Sequence, residues 1–155
     1  MKDNAFFNSM KDNLRRLEEE ERARNELKEK IIKEHGWDSD ELREWYEEED
    51  KRVFPYTRGE MKAFWTWGHN IERDCTTFEM NDFLHKEAEV TDFLNTLRRA
   101  GISSFIYTNQ STAVMRNIHQ FVHAGCTMNG IAELSRKSLW SDEPDEIIPG
   151  IKFSL

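Results

Sequence analysis

The sequence predicts an α/β fold: a small mixed sheet of about four strands with two packing helices, preceded by a charged helical N-terminal arm. An α+β arrangement is the alternative. Three observations carry this reading. From about residue 74 onward, strand-like and helix-like segments alternate in the order β-α-β-α-β-β. Before that point the apolar spacing is helical throughout. The composition, 37% hydrophobic and 34% charged over 155 residues, allows one core but not one that spans the whole chain. The expected division is therefore an arm over residues 1–73 and a compact domain over residues 74–155.

The first helix runs through about His35. Phe7, Met10, Leu14 and Leu17 recur at the spacing of one helical face. Beyond Leu17 only Ala23 and Leu27 are apolar until Ile31-Ile32, so this stretch reads as solvated helix. Gly36 ends it. Asp38-Ser39-Asp40 supplies a cap for a second helix with Leu42, Trp45 and Tyr46 on its apolar face, and Pro55 stops anything helical before it. Thr57 and Glu60 form a capping box for a third helix, on which Met61, Phe64, Trp65 and Gly68 share a spacing. Trp65 and Trp67 lie about 200° apart on a helix, so they cannot share its face. One of them either packs against the N-terminal arm or lies exposed as an interface anchor.

In the second half, Cys75 to Met80 reads as a strand, followed by a helix with Val90, Phe93, Leu94 and Leu97 inward and Gly101 at its end. Ser104 to Thr108 is a strand rich in β-formers. Ser111 or Thr112 caps the next helix, with Val114, Met115, Ile118, Phe121 and Val122 as its core face and Gly125 at its end. Thr127 to Leu134 and Gly150 to Leu155 complete the sheet. The strand–helix–strand link favours parallel pairing with a right-handed crossover, and a mixed sheet with the last two strands antiparallel is the variant.

No run approaches the ~20 apolar residues of a membrane span, and Met1-Lys2-Asp3-Asn4 lacks the form of a secretion signal. A cytoplasmic location, in a bacterial host, is the expectation, with Cys75 and Cys126 as reduced thiols. Charge is uneven. Of the net −8, residues 18–50 contribute −9 from 15 acidic and 6 basic side chains. That segment repels a nucleic acid and attracts a basic protein surface. Glu41, Glu44, Trp45, Glu47, Glu48, Glu49 and Asp50 are the candidate partner-binding residues, the carboxylates steering and the tryptophan anchoring. The alternative is a solvated helix face whose aromatics pack inward.

Two other constellations invite chemistry. Thr108, Asn109, Gln110, Ser111 and Thr112 lie between a strand end and a helix start, where free backbone N–H groups suit an anion or nucleotide. Neither a glycine-rich loop nor a lysine accompanies them, and a well-capped helix is the plainer reading. His119 and His123, four apart on one helix, with Cys126 beyond its end, have residue types that suit zinc, but structural histidine and buried cysteine are the favoured reading. No cofactor is assigned. Neither a G-x-S-x-G elbow nor an H-E-x-x-H motif is present, so no catalytic residue is assigned and the chain reads as not an enzyme.

Leu97-Arg98, Ala100-Gly101-Ile102, Phe105 with Tyr107 to Thr112, Met115, Gly125-Cys126, and Gly150-Ile151 with Phe153-Ser154 form a pattern. It resembles an uncharacterised accessory domain of Firmicutes plasmids and integrative conjugative elements. The resemblance covers roughly the C-terminal half and transfers no role to any residue. A small acidic protein of such an element, with an added arm, has the profile of an anti-CRISPR protein. The expectation is a non-enzymatic inhibitor of a basic nucleic-acid-handling protein, a Cas9 effector in particular. An anion- or nucleotide-binding regulatory domain, or a conjugation or plasmid-maintenance accessory protein, are the alternatives.

Overall fold

The structure is a computed structural model that describes residues 1–140 and 142–155. Its elements are α1 (Ala5–His35), α2 (Asp40–Asp50), α3 (Arg58–Glu72), β1 (Glu79–Met80), α4 (Glu87–Arg99), β2 (Ser104–Tyr107), α5 (Val114–His123), β3 (Thr127–Arg136) and β4 (Glu146–Ser154). The fold is α/β with a four-stranded mixed sheet in the order β1-β2-β4-β3. β1 pairs with β2 in parallel, and β4 is antiparallel to both β2 and β3. β1, β2 and β3 consequently point the same way. No helix among the described residues is long and apolar enough to cross a membrane.

Two compact units result, Asn8–Pro55 and a larger one made of Met1–Phe7 with Tyr56–Leu155. The boundary expected at residue 73 thus falls inside the larger unit. α3 belongs there because it packs along α4. Gly59 permits this, since a Cβ at that position would lie 2.7 Å from Asp92 Cβ and 2.9 Å from the Phe93 backbone nitrogen.

The caps follow the sequence. Ser39 accepts from the Leu42 N–H, and Thr57 with Glu60 forms both bonds of a capping box. Gly101 and Gly125 take positive φ just past α4 and α5, as helix-ending glycines do. α5 departs from expectation: it starts at Val114 without a side-chain cap, and Ser111 and Thr112 precede it. Its buried residues are Asn117 and Phe121, while Met115 and Val122 are exposed. On α3 the buried tryptophan is Trp67 and the exposed one Trp65. Phe7 stacks on Trp67 at 5.1 Å, which fixes that choice.

Register gives the sheet two unlike faces. Met80, Phe105, Tyr107 and Phe153 line the first. Phe105 meets Phe93 of α4 and Phe121 of α5 edge-on and stacks on Phe153, an aromatic core of almost fully buried rings. The second face carries Glu79, Ile106, Leu134, Arg136 and Glu146. β1 is shorter than the expected strand from Cys75. Thr76 instead bonds Ser135 of β3, and the Lys137 N–H reaches the Arg73 carbonyl, so this segment covers part of the outer edge of β3.

Candidate functional site

All seven candidate partner-binding residues lie on α2. In the Asn8–Pro55 unit, α2 runs back along α1. Arg24 bonds Glu49 at 2.6 Å, and His35 approaches Glu41 at 3.6 Å. Trp45 is buried between these helices, with the Arg24 guanidinium 5.5 Å and the Lys28 ammonium 5.1 Å from its ring centroid. Its expected role as an exposed anchor is therefore overturned: cation–π contacts and burial make it the packing residue of the helix pair. Trp37 and Tyr46 are the exposed aromatics of this unit besides Phe54. Glu49 is drawn inward by Arg24 and Arg52. Burial works against its charged form, but these two guanidiniums hold its carboxyl below the ordinary value. Glu44, Glu47, Glu48 and Asp50 are exposed and form no ion pair among the described residues.

The turn after β2 uses its polar groups internally. Thr108 is buried and donates to Glu79 Oε1 at 2.6 Å. Asn109 donates to the Asn81 carbonyl and accepts from the Ser111 N–H, while Ser111 Oγ accepts from the Ala113 N–H. Gln110 and Thr112 are exposed beside it. Thr108, Asn109 and Ser111 thus spend polar groups on bonds within the chain, as turn residues do. His119 and His123 stack at 6.0 Å on the exposed side of α5. Cys126 is buried, and burial raises its thiol pKa. Among the described residues no three metal-ligating side chains converge.

The polar chemistry gathers instead on the second sheet face, at the carboxyl ends of β1, β2 and β3. Glu79, 5% exposed, accepts from Arg136 at 2.5 Å as well as from Thr108. Arg136 also bonds Glu146 at 2.9 Å, and Arg73, just past the end of α3, reaches the same carboxylate oxygen at 2.9 Å. The Arg136 hydrogen bond, opposed by burial, holds Glu146 below the ordinary glutamate range. Asn70 locks the backbone of Glu79 in both directions, accepting from its N–H and donating to its carbonyl. Cys75 lies 3.8 Å from Glu79 Oε2, and burial together with that carboxylate pushes its thiol up to about 11.

Beside this network is a cleft of about 360 Å³ between α3 and the strand ends, lined among others by Lys62, Trp65, Arg73, Glu79, Asn81 and Arg136. Lys62 pairs with Asp82, which also lines the cleft. Of these lining residues the sequence singled out only Trp65, as one of the two tryptophans that cannot share a face of α3. The other available signal was Glu79 itself, a carboxylate between Phe78 and Met80 in a short strand.

The model of a domain of unknown function, DUF7698, matches residues 62–155, more than half of the chain. The chain belongs to the DUF7698 family. All the residues named for the cleft fall within the DUF7698 span, whereas α1 and α2 precede it. No curated protein and no solved structure matches the chain.

Proposed function

We propose that this protein is a non-enzymatic inhibitor whose acidic α1–α2 unit docks on the basic surface of a nucleic-acid-handling protein, with a Cas9 effector as the specific candidate. The observation behind this reading is the last turn of α2. Glu47, Glu48, Glu49 and Asp50 crowd a helix end that has no basic residue in that turn. The carbonyl end of a helix is already partly negative, so each such charge is unfavourable there. Only Glu49 is neutralised from within. A partner's Lys and Arg side chains relieve the others on contact, and long-range attraction raises the association rate.

The test is capture of Cas9, with and without guide RNA, by the full-length protein at low and at high salt, read together with DNA cleavage. Binding and loss of cleavage at low salt are expected. Replacing Glu44, Glu47, Glu48 and Asp50 with glutamine should weaken capture at least about tenfold, as should high salt. No capture at low salt, with cleavage unimpaired, sinks the proposal.

A further inference from the structure

We infer that the cleft between α3 and the ends of β1 and β3 binds a small organic anion built on one planar ring, its charge carried by a carboxylate or a phosphate. This site lies in the DUF7698 region and is independent of the α1–α2 reading.

A cleft of about 360 Å³ is of the size that takes a compact ligand. Hydrogen-bond capacity sets the sign of the ligand. A guanidinium has five N–H donors. Arg73 engages Nε with the Lys137 carbonyl and Nη2 with Glu146, and Arg136 engages Nε with Glu146 and Nη1 with Glu79. Nη1 of Arg73 and Nη2 of Arg136 make no bond among the described residues, and neither is a buried orphan. The Lys62 ammonium has three donors and one carboxylate partner, and the Asn81 side chain is also unbonded among the described residues. The carboxylate oxygens of the cleft each hold a donor already, while the Asn81 amide offers an acceptor as well as donors. Glu79 Oε1 takes two donors, and both oxygens of Asp82 are engaged, one by Lys62 and one by the Phe83 N–H. An entering molecule therefore meets spare donors, which an anion satisfies.

Trp65 supplies the planar preference. It is 59% exposed on the cleft wall, one turn from Lys62 on α3. An indole face beside spare cationic donors suits a ring that carries an anionic group. The buried ion-pair network supplies rigidity. Pairs as enclosed as Glu79 with Arg136 seldom add net stability over apolar packing, but they fix the guanidinium orientations before a ligand arrives. The location, outside the carboxyl ends of parallel strands, is where open α/β sheets bind ligands.

The test titrates the full-length protein with indole-3-carboxylate and with adenosine 5′-monophosphate, which separates a carboxylate from a phosphate source. Inorganic phosphate and acetate serve as ringless anions, and tryptamine as a planar cation. Amide resonances of Thr66, Asn81 and Asp82 report the site. At least one planar anion should saturate with Kd below about 1 mM, with the ringless anions and tryptamine at least tenfold weaker. Trp65→Ala, at an exposed position, should keep the wild-type Tm and lose about tenfold in affinity. Lys62→Gln should weaken binding in the same direction. The inference is overturned if neither planar anion saturates in that range, if tryptamine binds as tightly, or if both variants bind like wild type.

Discussion

At the scale of the residue, two buried asparagines carry more of the fold than their polarity suggests. Asn117 of α5 is fully buried. Its Oδ1 accepts from the Leu84 N–H and the Tyr107 hydroxyl, and its Nδ2 donates to the Leu84 carbonyl and Gln120. One side chain thus satisfies the backbone of the loop before α4 and ties it to β2. Asn117→Leu fills a similar volume but leaves the Leu84 amide and carbonyl without partners, at roughly 1–3 kcal/mol for each orphaned group. Urea unfolding should show a loss of about 2–4 kcal/mol. A change below about 0.5 kcal/mol, the range of an ordinary surface substitution, refutes this role. Asn117 also explains why the inward face of α5 was only half legible. Apolar periodicity picks out Phe121 correctly, together with Val114, Met115, Ile118 and Val122, but misses Asn117, because an amide that is fully bonded inside the protein looks like a surface residue in the sequence. Asn70 repeats the lesson on α3, where it pins Glu79 and so sets the candidate site.

At the scale of the element, helices and their ends were readable because their signals are local: Ser39, the Thr57–Glu60 box, and the glycines after α4 and α5. The strand order and the short β1 were not, since Thr76 finds its partner Ser135 59 residues away. Nor was the close approach of α3 to α4, which depends on what Gly59 meets and not on its neighbours in the chain. Two glycines of the same helix make this testable. A Cβ at Gly68 meets nothing within 4 Å, whereas one at Gly59 runs into the α4 backbone at Glu89 and Phe93. Gly68→Ala should stabilise the protein by about 0.5–1 kcal/mol through helix propensity. Gly59→Ala gains the same propensity but forces the helices apart, and overpacking of about 1–3 kcal/mol should leave it destabilised. Thermal or urea unfolding of the pair decides it: equal and favourable shifts in both variants contradict the contact.

At the scale of the whole molecule, charge does opposite things in the two units. In residues 8–55 carboxylates stand largely unpaired at the end of α2. In the DUF7698 region the buried carboxylates are paired, and one network joins the end of α3, β1, β3 and β4 through Arg73, Glu79, Arg136 and Glu146. Glu146 is the member that bridges both arginines, and its carboxyl is held below the ordinary value by them. A group whose folded pKa is depressed stabilises the protein above its unfolded pKa, here 4.5, and loses that contribution as pH falls through the folded value. Glu146→Gln keeps the size and removes the charge. Its Tm should lie below that of wild type at pH 7, and the gap should close as pH falls from 4.5 toward the depressed value, because the wild-type carboxyl becomes neutral as well. Melting curves of both proteins across that range measure the gap. A gap that stays constant down to pH 3 means that Glu146 acts through shape alone, and that the sheet face beneath the cleft is not held by its charge.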